Sequence, residues 1–230
     1  METSHRTALQ KAGLFDGIKN EEYNALIDCL SPQIKQFSKN ETIFFTGDSV
    51  QHLGVILYGT AYAYLEHVDG NQTIMATLTP GRVFGEILVS TRTQQSPVTV
   101  QTASDITAAF IEYKKIYSAR TAACSAYRMF LKNMLSAIGD KYFYLFDRIN
   151  ILREKSLRSR ITVYLYSLSD NGKKTAVTIP FTKTMLADYL LVNRSALSKE
   201  LSKMERDGLV EINGRNIELK FIKRKSDITY

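Results

Sequence analysis

Seven apolar residues, Leu131, Leu135, Ile138, Tyr142, Leu145, Ile149 and Leu152, stand 4, 3, 4, 3, 4 and 3 positions apart. A strand repeats every second residue, so this spacing belongs to a helix, and a strict heptad sustained this long marks a helix that seams with another. It predicts one long helix over residues 122–152, with the seam meeting a partner helix, most simply its own copy in a homodimer. A second stripe, Phe130, Phe143, Tyr144 and Phe146, is then free to pack on the chain's own sheet. The helix divides the chain into three expected parts: residues 1–121, residues 122–152 as dimerisation helix and hinge, and residues 153–230.

Ahead of the helix the texture is that of strands. Residues 14–30 read as a short helix, with Glu21 and Glu22 in its first turn and Ser31-Pro32 at its end. From Gln33 to Tyr113 the runs IKQF, ETIFF, VILY, AYAYL, TIMATL, VTVQTA and TAAFIEY alternate with breaks. The breaks are Gly47-Asp48, Tyr58-Gly59, Asp69-Gly70, Pro80-Gly81 and Ser96-Pro97. Asp-Gly between alternating runs signals a hairpin, because its turn needs positive φ, and Pro-Gly suits the centre of a type II turn. Many short strands at this spacing predict an antiparallel, jelly-roll-like β-roll.

Beyond the helix the pattern changes again. Ser156–Ser169 reads as a helix stopped by Asp170-Asn171-Gly172, and Ala176–Pro180 as a short strand. Thr182–Leu190 and Arg194–Asp207 read as two helices joined by three residues, with Gly208 ending the second. Leu209–Ile212 and Ile217–Phe221 flank Asn213-Gly214, which is hairpin chemistry, and the tail KRKSDITY is expected to fray. The expected fold class is α+β: an antiparallel β-roll, a long dimerisation helix and a C-terminal winged helix-turn-helix.

Charge gives that last part a partner. Residues 1–150 carry 14 basic and 14 acidic side chains, and residues 151–230 carry 16 and 9, so the whole excess of +7 lies in the last 80 residues. Such asymmetry points to a polyanion, nucleic acid before membrane. In a winged helix-turn-helix the first helix props the second, whose N-terminal residues meet base edges in the major groove of double-stranded DNA. Asn193 is placed to cap the second helix. Arg194, Ser195, Ser198 and Lys199 share its outward face, and Ala196, Leu197, Leu201 and Met204 its inward one. Arg at such a position can grip guanine through two hydrogen bonds, worth about 1–3 kcal/mol of discrimination. Thr182, Lys183, Thr184 and Arg215 are placed to bind phosphates, which position the domain without reading sequence.

Other functions lack their residues. There is no Gly-rich phosphate loop and no Gly-x-Ser-x-Gly elbow, and Glu86, Asp105 and Glu112 form no recognisable catalytic pair, so no enzyme is expected. Cys29 and Cys124 each stand alone in an apolar context and read as two buried thiols of a reducing compartment. His5, His52 and His67 are scattered, so no metal or other cofactor is expected. No apolar run approaches a bilayer span, and METSHRTALQKAGLF lacks the apolar centre of a secretion signal. The expectation is a cytoplasmic protein without a membrane partner, in which the sequons at Asn40, Asn71 and Asn193 are chance matches.

Two motifs carry a resemblance: Phe84-Gly85-Glu86 after Thr79-Pro80-Gly81, and Val192-Asn193-Arg194-Ser195-Ala196-Leu197-Ser198-Lys199. With the order roll, seamed helix, winged helix-turn-helix, the chain resembles the Crp/Fnr family of bacterial transcription regulators over nearly its whole length. The resemblance implies a dimer on a near-palindromic operator, contact with RNA polymerase, and a roll that senses a small effector. It places Ser195 where relatives often carry Glu, and Lys199 where a second basic reader falls. Leu191 stands at a turn position often held by Gly, which implies either a strained φ costing about 1 kcal/mol or a turn closed differently. In cyclic-nucleotide-binding relatives a Gly-Glu pair meets the ribose and an Arg-Ser pair holds the phosphate. Gly85 and Glu86 match the first pair; the second falls at Gln95 and Ser96, where a neutral amide replaces the charged fork. Arg92 is three residues away. The base-contacting positions of the long helix fall near Leu145 and Phe146, with Tyr142 beside them, and are apolar or aromatic. The effector expected is therefore a small molecule other than a cyclic nucleotide; the alternatives are a roll without ligand, a true cyclic-AMP-responsive regulator in which Arg92 folds back, and a ligand-sensing protein-interaction module that does not bind DNA.

Overall fold

The computed structural model describes residues 1–66, 72–88 and 91–221. The expected Asp69-Gly70 turn, His67 and the tail from residue 223 lie outside the described residues. The chain divides into two compact units, residues 1–140 and 141–230.

In chain order the strands of the first unit are β1 (Gln33–Phe37), β2 (Thr42–Phe44), β3 (His52–Tyr58), β4 (Ala61–Glu66), β5 (Gln72–Leu78), β6 (Val83–Phe84), β7 (Thr99–Thr102) and β8 (Ile106–Glu112). They form two four-stranded sheets, β1-β8-β3-β6 and β2-β7-β4-β5, with every pairing antiparallel. Ile56, Ala61, Leu78, Phe84, Val100, Ala108 and Phe110 pack together inside the roll. Strand β3 is buried nearly throughout because both of its faces are covered: Ile56 joins that interior, while Leu53, Val55 and Leu57 join a second core built with the helices. Gly54 is needed there, since a Cβ would lie 2.1 Å from Cζ of Phe84. The Phe84 ring that takes the space packs against Phe44 and Phe110, at centroid distances of 6.2 and 5.8 Å. The Pro80-Gly81 turn forms as expected, with Arg82 N–H donating to Thr79 O at 2.9 Å and Gly81 at φ 84°.

Helix α1 (Thr3–Gln10) precedes a 3-10 turn at Gly13–Phe15 and α2 (Asn20–Leu30). The single helix expected over 14–30 is thus two elements, and Ser31 closes α2 in the left-handed region at φ 43°. Then come α3 (Tyr113–Ile116), α4 (Ala119–Ala122) and the long α5 (Tyr127–Leu152), which starts five residues later than expected. The second stripe does not pack as one surface. Phe130 is buried against Phe15 in the first unit, with Met134 one turn on in the same core. Phe143 and Phe146 are exposed, and the Tyr144 ring instead lies 5.7 Å from that of Tyr189 in the second unit. Cys29 and Cys124 also depart from expectation. Both are half-buried free thiols, and their Sγ atoms are 3.0 Å apart.

The second unit adds α6 (Leu157–Leu168), β9 (Ala176–Thr178), α7 (Lys183–Tyr189), α8 (Arg194–Arg206), β10 (Val210–Asn213) and β11 (Asn216–Leu219). Ser156 caps α6 by accepting from Ser159 N–H at 3.0 Å. Asp170, Asn171 and Gly172 all take positive φ and stop it. The sheet order is β10-β11-β9. Ile161, Leu165, Leu186, Leu197, Leu201, Met204 and Ile217 are buried in one core beneath the helices and the hairpin.

Candidate nucleic-acid interface

Helix α7 begins where the Thr182 hydroxyl accepts from Met185 N–H at 3.2 Å. It ends in a paired C-cap: Leu191 N–H donates to Asp188 O at 3.2 Å and Val192 N–H to Ala187 O at 3.0 Å. This 5→2 and 6→1 pairing needs a left-handed residue after the helix, a place usually given to Gly. Leu191 fills it at φ 53°, with its side chain 57% exposed. Of the two outcomes left open by the sequence, the strained φ is the one observed. Two residues later α8 starts, and Asn193 Oδ1 accepts from Ala196 N–H at 2.7 Å. Such a cap contributes about 1 kcal/mol. The Ser195 hydroxyl also donates to Asn193 Oδ1, at 2.8 Å. That hydrogen is therefore committed within the turn, and Ser195 offers an outside partner only its lone pairs.

On the first two turns of α8, Arg194, Ser195 and Lys199 are exposed and Ser198 is half-buried, while Leu197 and Leu201 point into the core. Lys183 and Thr184 are exposed at the start of α7, and Arg215 is exposed in the Gly214-Arg215 turn of the wing. Among the described residues, none of Arg194, Lys199, Lys183 and Arg215 stands in an ion pair. Other cations of this unit are engaged internally: Lys173 with Asp170, and Lys220 with Glu211 and Glu218.

Three arginines that the sequence does not single out hold the helix pair. Arg158 on α6 reaches Glu200 and Asp207, each at 2.6 Å, and so ties α6 to both ends of the outer half of α8. These carboxylates keep its guanidinium pKa above the ordinary value. Arg160 Nη1 donates to Leu190 O at 3.1 Å. Arg148, buried on α5, donates to Tyr189 O and Asp188 O at 3.3 and 3.4 Å and stacks over the Tyr189 ring. Two guanidiniums thus meet the last carbonyls of α7, where the helix dipole favours cations. Tyr189 itself sits among Tyr144, Tyr164 and Phe181, and burial pushes its hydroxyl pKa up to about 12. A lone Arg gives no local sequence signal for such a role, because its partners are carbonyls brought near by folding.

The residues singled out in the roll behave differently. Gly85 takes φ 80°, and its carbonyl accepts from the Tyr113 hydroxyl at 2.6 Å. Burial, with the Glu86 carboxylate adding, holds that hydroxyl's pKa well above the tyrosine range. Glu86 is fully buried. The Ser96 hydroxyl is buried and closes on its own turn, donating to Val98 O at 2.7 Å and accepting from Val98 N–H at 3.3 Å. Gln95 and Arg92 are exposed. Tyr142, Leu145 and Phe146 belong to the second unit and are exposed along α5. Among the described residues no group of three or more His, Cys, Asp or Glu is placed to hold a metal ion, and no helix is long and apolar enough to cross a membrane.

A roll followed by a long helix and a winged helix-turn-helix with open cations on its second helix defines a DNA-binding regulator. Comparison with known proteins agrees. Residues 34–122 match the cyclic nucleotide-binding domain, and residues 159–224 match the Crp-like helix-turn-helix domain. The probable transcriptional regulator flp of Lacticaseibacillus casei is 23% identical over 204 residues, covering 87% of this chain and 88% of the relative. Solved structures that share the fold include the following two. A CooA mutant from Carboxydothermus hydrogenoformans has TM-score 0.59 at 19% identity, over 85% of this chain and 86% of that one. The c-di-GMP responsive regulator CLP of Xanthomonas campestris has TM-score 0.58 at 17% identity, over 85% and 98%. The chain belongs to the Crp/Fnr family of transcription regulators, and is a DNA-binding regulator rather than an enzyme.

Proposed function

We propose that the chain acts as a homodimer that reads a near-palindromic operator with Arg194, Ser195, Ser198 and Lys199. Thr182, Lys183, Thr184 and Arg215 contact the phosphates on either side, with Asn193 setting the start of the reading helix. The observation that carries this reading is Arg194: exposed, outside any ion pair among the described residues, and on the first turn of a helix whose start and inward face are both fixed. The operator differs from that of relatives with Glu at the second helical position, because Ser195 can accept from a base amino group but brings no charge.

The division of labour follows the chain: residues 1–121 sense, 122–152 dimerise and 153–230 bind DNA in the cytoplasm, next to RNA polymerase. Leu135, Tyr142, Leu145 and Ile149 support the dimer seam, since these heptad positions are 43–66% exposed in the single chain. Leu131, Ile138 and Leu152 complete the repeat. The effector of the roll is a small molecule other than a cyclic nucleotide. Gln95 offers no charge to a phosphate, the Ser96 hydroxyl is taken up by its own turn, and Leu145 and Phe146 offer no polar group to a base. An effector that favours one packing of the seam would change how the two reading helices are presented.

Arg194→Ala tests the reading. On an operator selected from random duplexes, it should weaken binding at least about tenfold, in line with the loss of one bidentate base contact. Sedimentation should show the oligomer unchanged. Wild-type affinity should fall steeply with salt, as counterions leave neutralised phosphates. Equal affinity of the variant on that operator would remove Arg194 as a reader.

A further inference from the structure

We propose that Cys29 and Cys124 are a reversible thiol–disulfide site, oxidised by hydroperoxides, that staples α2 to the turn opening α5. The two residues are 95 positions apart in sequence, yet the Cys124 thiol points at the Cys29 sulfur with Sγ–Sγ 3.0 Å. Cys29 lies in the last turn of α2, and Cys124 stands between α4 and the first residue of α5. A disulfide needs about 2.05 Å between sulfurs, so roughly 1 Å of side-chain rotation closes the gap. Both residues are half-buried rather than sealed, which leaves a path for a small oxidant. Neither belongs to the DNA interface or to the residues singled out in the roll.

Burial, and then the contact with Cys29, push the Cys124 pKa up to about 11, so in this scheme Cys124 is the resolving thiol and Cys29 the one oxidised first. The Cys29 thiolate attacks the outer oxygen of the hydroperoxide: an S–O bond forms, the O–O bond breaks, and the leaving alkoxide takes a proton from water. Cys124 then attacks the Cys29 sulfenic acid: the S–S bond forms, the S–O bond breaks, and hydroxide leaves with the Cys124 proton as water. Two electrons pass from the thiols to the peroxide. A disulfide in a reducing compartment is characteristically transient and redox-sensing.

The consequence lies at the base of the seam. Cys124 and Leu131, the first seam residue, pack on the same core, so the bridge fixes the segment from which α5 starts. That consequence rests on the proposed dimeric DNA-binding reading; the bridge itself does not.

The test uses the reduced full-length protein, a modest excess of hydrogen peroxide, alkylation and intact-mass analysis. The expected result is a loss of about 2 Da, no alkyl adduct, a Cys29–Cys124 cross-linked peptide within one chain, and reversal by dithiothreitol. Cys29→Ser and Cys124→Ser should each abolish the intrachain cross-link. Thiols that stay fully alkylatable, oxidation that ends in sulfinic acid, or bridges found only between chains would overturn the site. Operator affinity is then compared in the two states, with a difference of at least about threefold expected. Equal affinity in a fully bridged protein would overturn the regulatory consequence while leaving DNA binding intact. Absence of binding in both states, with the bridge formed, would count against the DNA-binding reading and not against the site.

Discussion

Several polar groups singled out in the roll are bonded within their own chain, whereas, among the described residues, the cations singled out on the winged helix are not. In the roll the Ser96 hydroxyl is hydrogen-bonded to Val98 on both sides, and the Gly85 carbonyl is held by Tyr113. In the winged helix the packing and capping groups are equally well held, but Arg194 and Lys199 are left in water outside any ion pair among the described residues. Both units descend from the same family plan, and both match their domain patterns. The fold alone does not say which ligand a unit takes. What matters is whether the groups that would meet the ligand are open or already bonded to their own chain.

The same contrast recurs on a smaller scale inside the second unit. Helices α7 and α8 end in the same paired C-cap. In α8 it is Gly208 N–H to Glu205 O at 3.0 Å and Leu209 N–H to Met204 O at 2.9 Å. Gly208 at φ 69° meets the left-handed requirement without strain, whereas Leu191 at φ 53° does not. Leu191 is held there by the engaged end of α7, where Arg148 and Arg160 take the neighbouring carbonyls.

Changes aimed at one unit should leave the other's behaviour readable. The largest effect is expected from Ile138→Lys, which places a charge in the middle of the proposed seam. It should convert the dimer to monomer in sedimentation and abolish high-affinity operator binding; an unchanged sedimentation profile would remove the seam. Next is Gly54→Ala, whose new Cβ meets the Phe84 ring. Overpacking of this kind costs about 1–3 kcal/mol, so thermal or denaturant unfolding of the first unit should shift while Arg194-dependent DNA specificity persists. The smallest is Leu191→Gly, which relieves the left-handed strain and should stabilise the second unit by about 1 kcal/mol, with operator preference unchanged. A destabilising Leu191→Gly would mean that the exposed Leu side chain contributes more than its φ costs.

The parts of this contrast that could be read in the sequence are the local ones. A cap, a turn or a heptad is written in neighbouring residues, so Asn193, Pro80-Gly81, the Asp170-Asn171-Gly172 stop and the helix pair around residue 191 were all legible. Strand β6 is only Val83–Phe84, too short for a period to show. Helix α1 was hidden because Thr3–Gln10 is mostly polar and fully buries only Leu9. Its place is set by Arg6 meeting Asp28 at 2.6 Å and by the Tyr23 hydroxyl donating to Arg6 O. The aromatic stripe of α5 failed as one surface because Phe130 belongs to one unit and Tyr144 to the other. The Cys29–Cys124 contact and the three arginine clamps depend on residues that only folding brings together. Composition gave the sign of the DNA-binding unit but not which cations stay open, since Arg158 and Lys220 are consumed by its own carboxylates.

The proposal that the roll takes no cyclic nucleotide while the reading helix binds DNA is tested most directly by one titration. Full-length protein is titrated onto a fluorescent copy of its selected operator at fixed salt, with and without cyclic AMP in large excess. The account predicts specific binding with the same Kd in both arms. Operator binding that tightens tenfold or more with the nucleotide would show that the roll takes a cyclic nucleotide and would contradict the account.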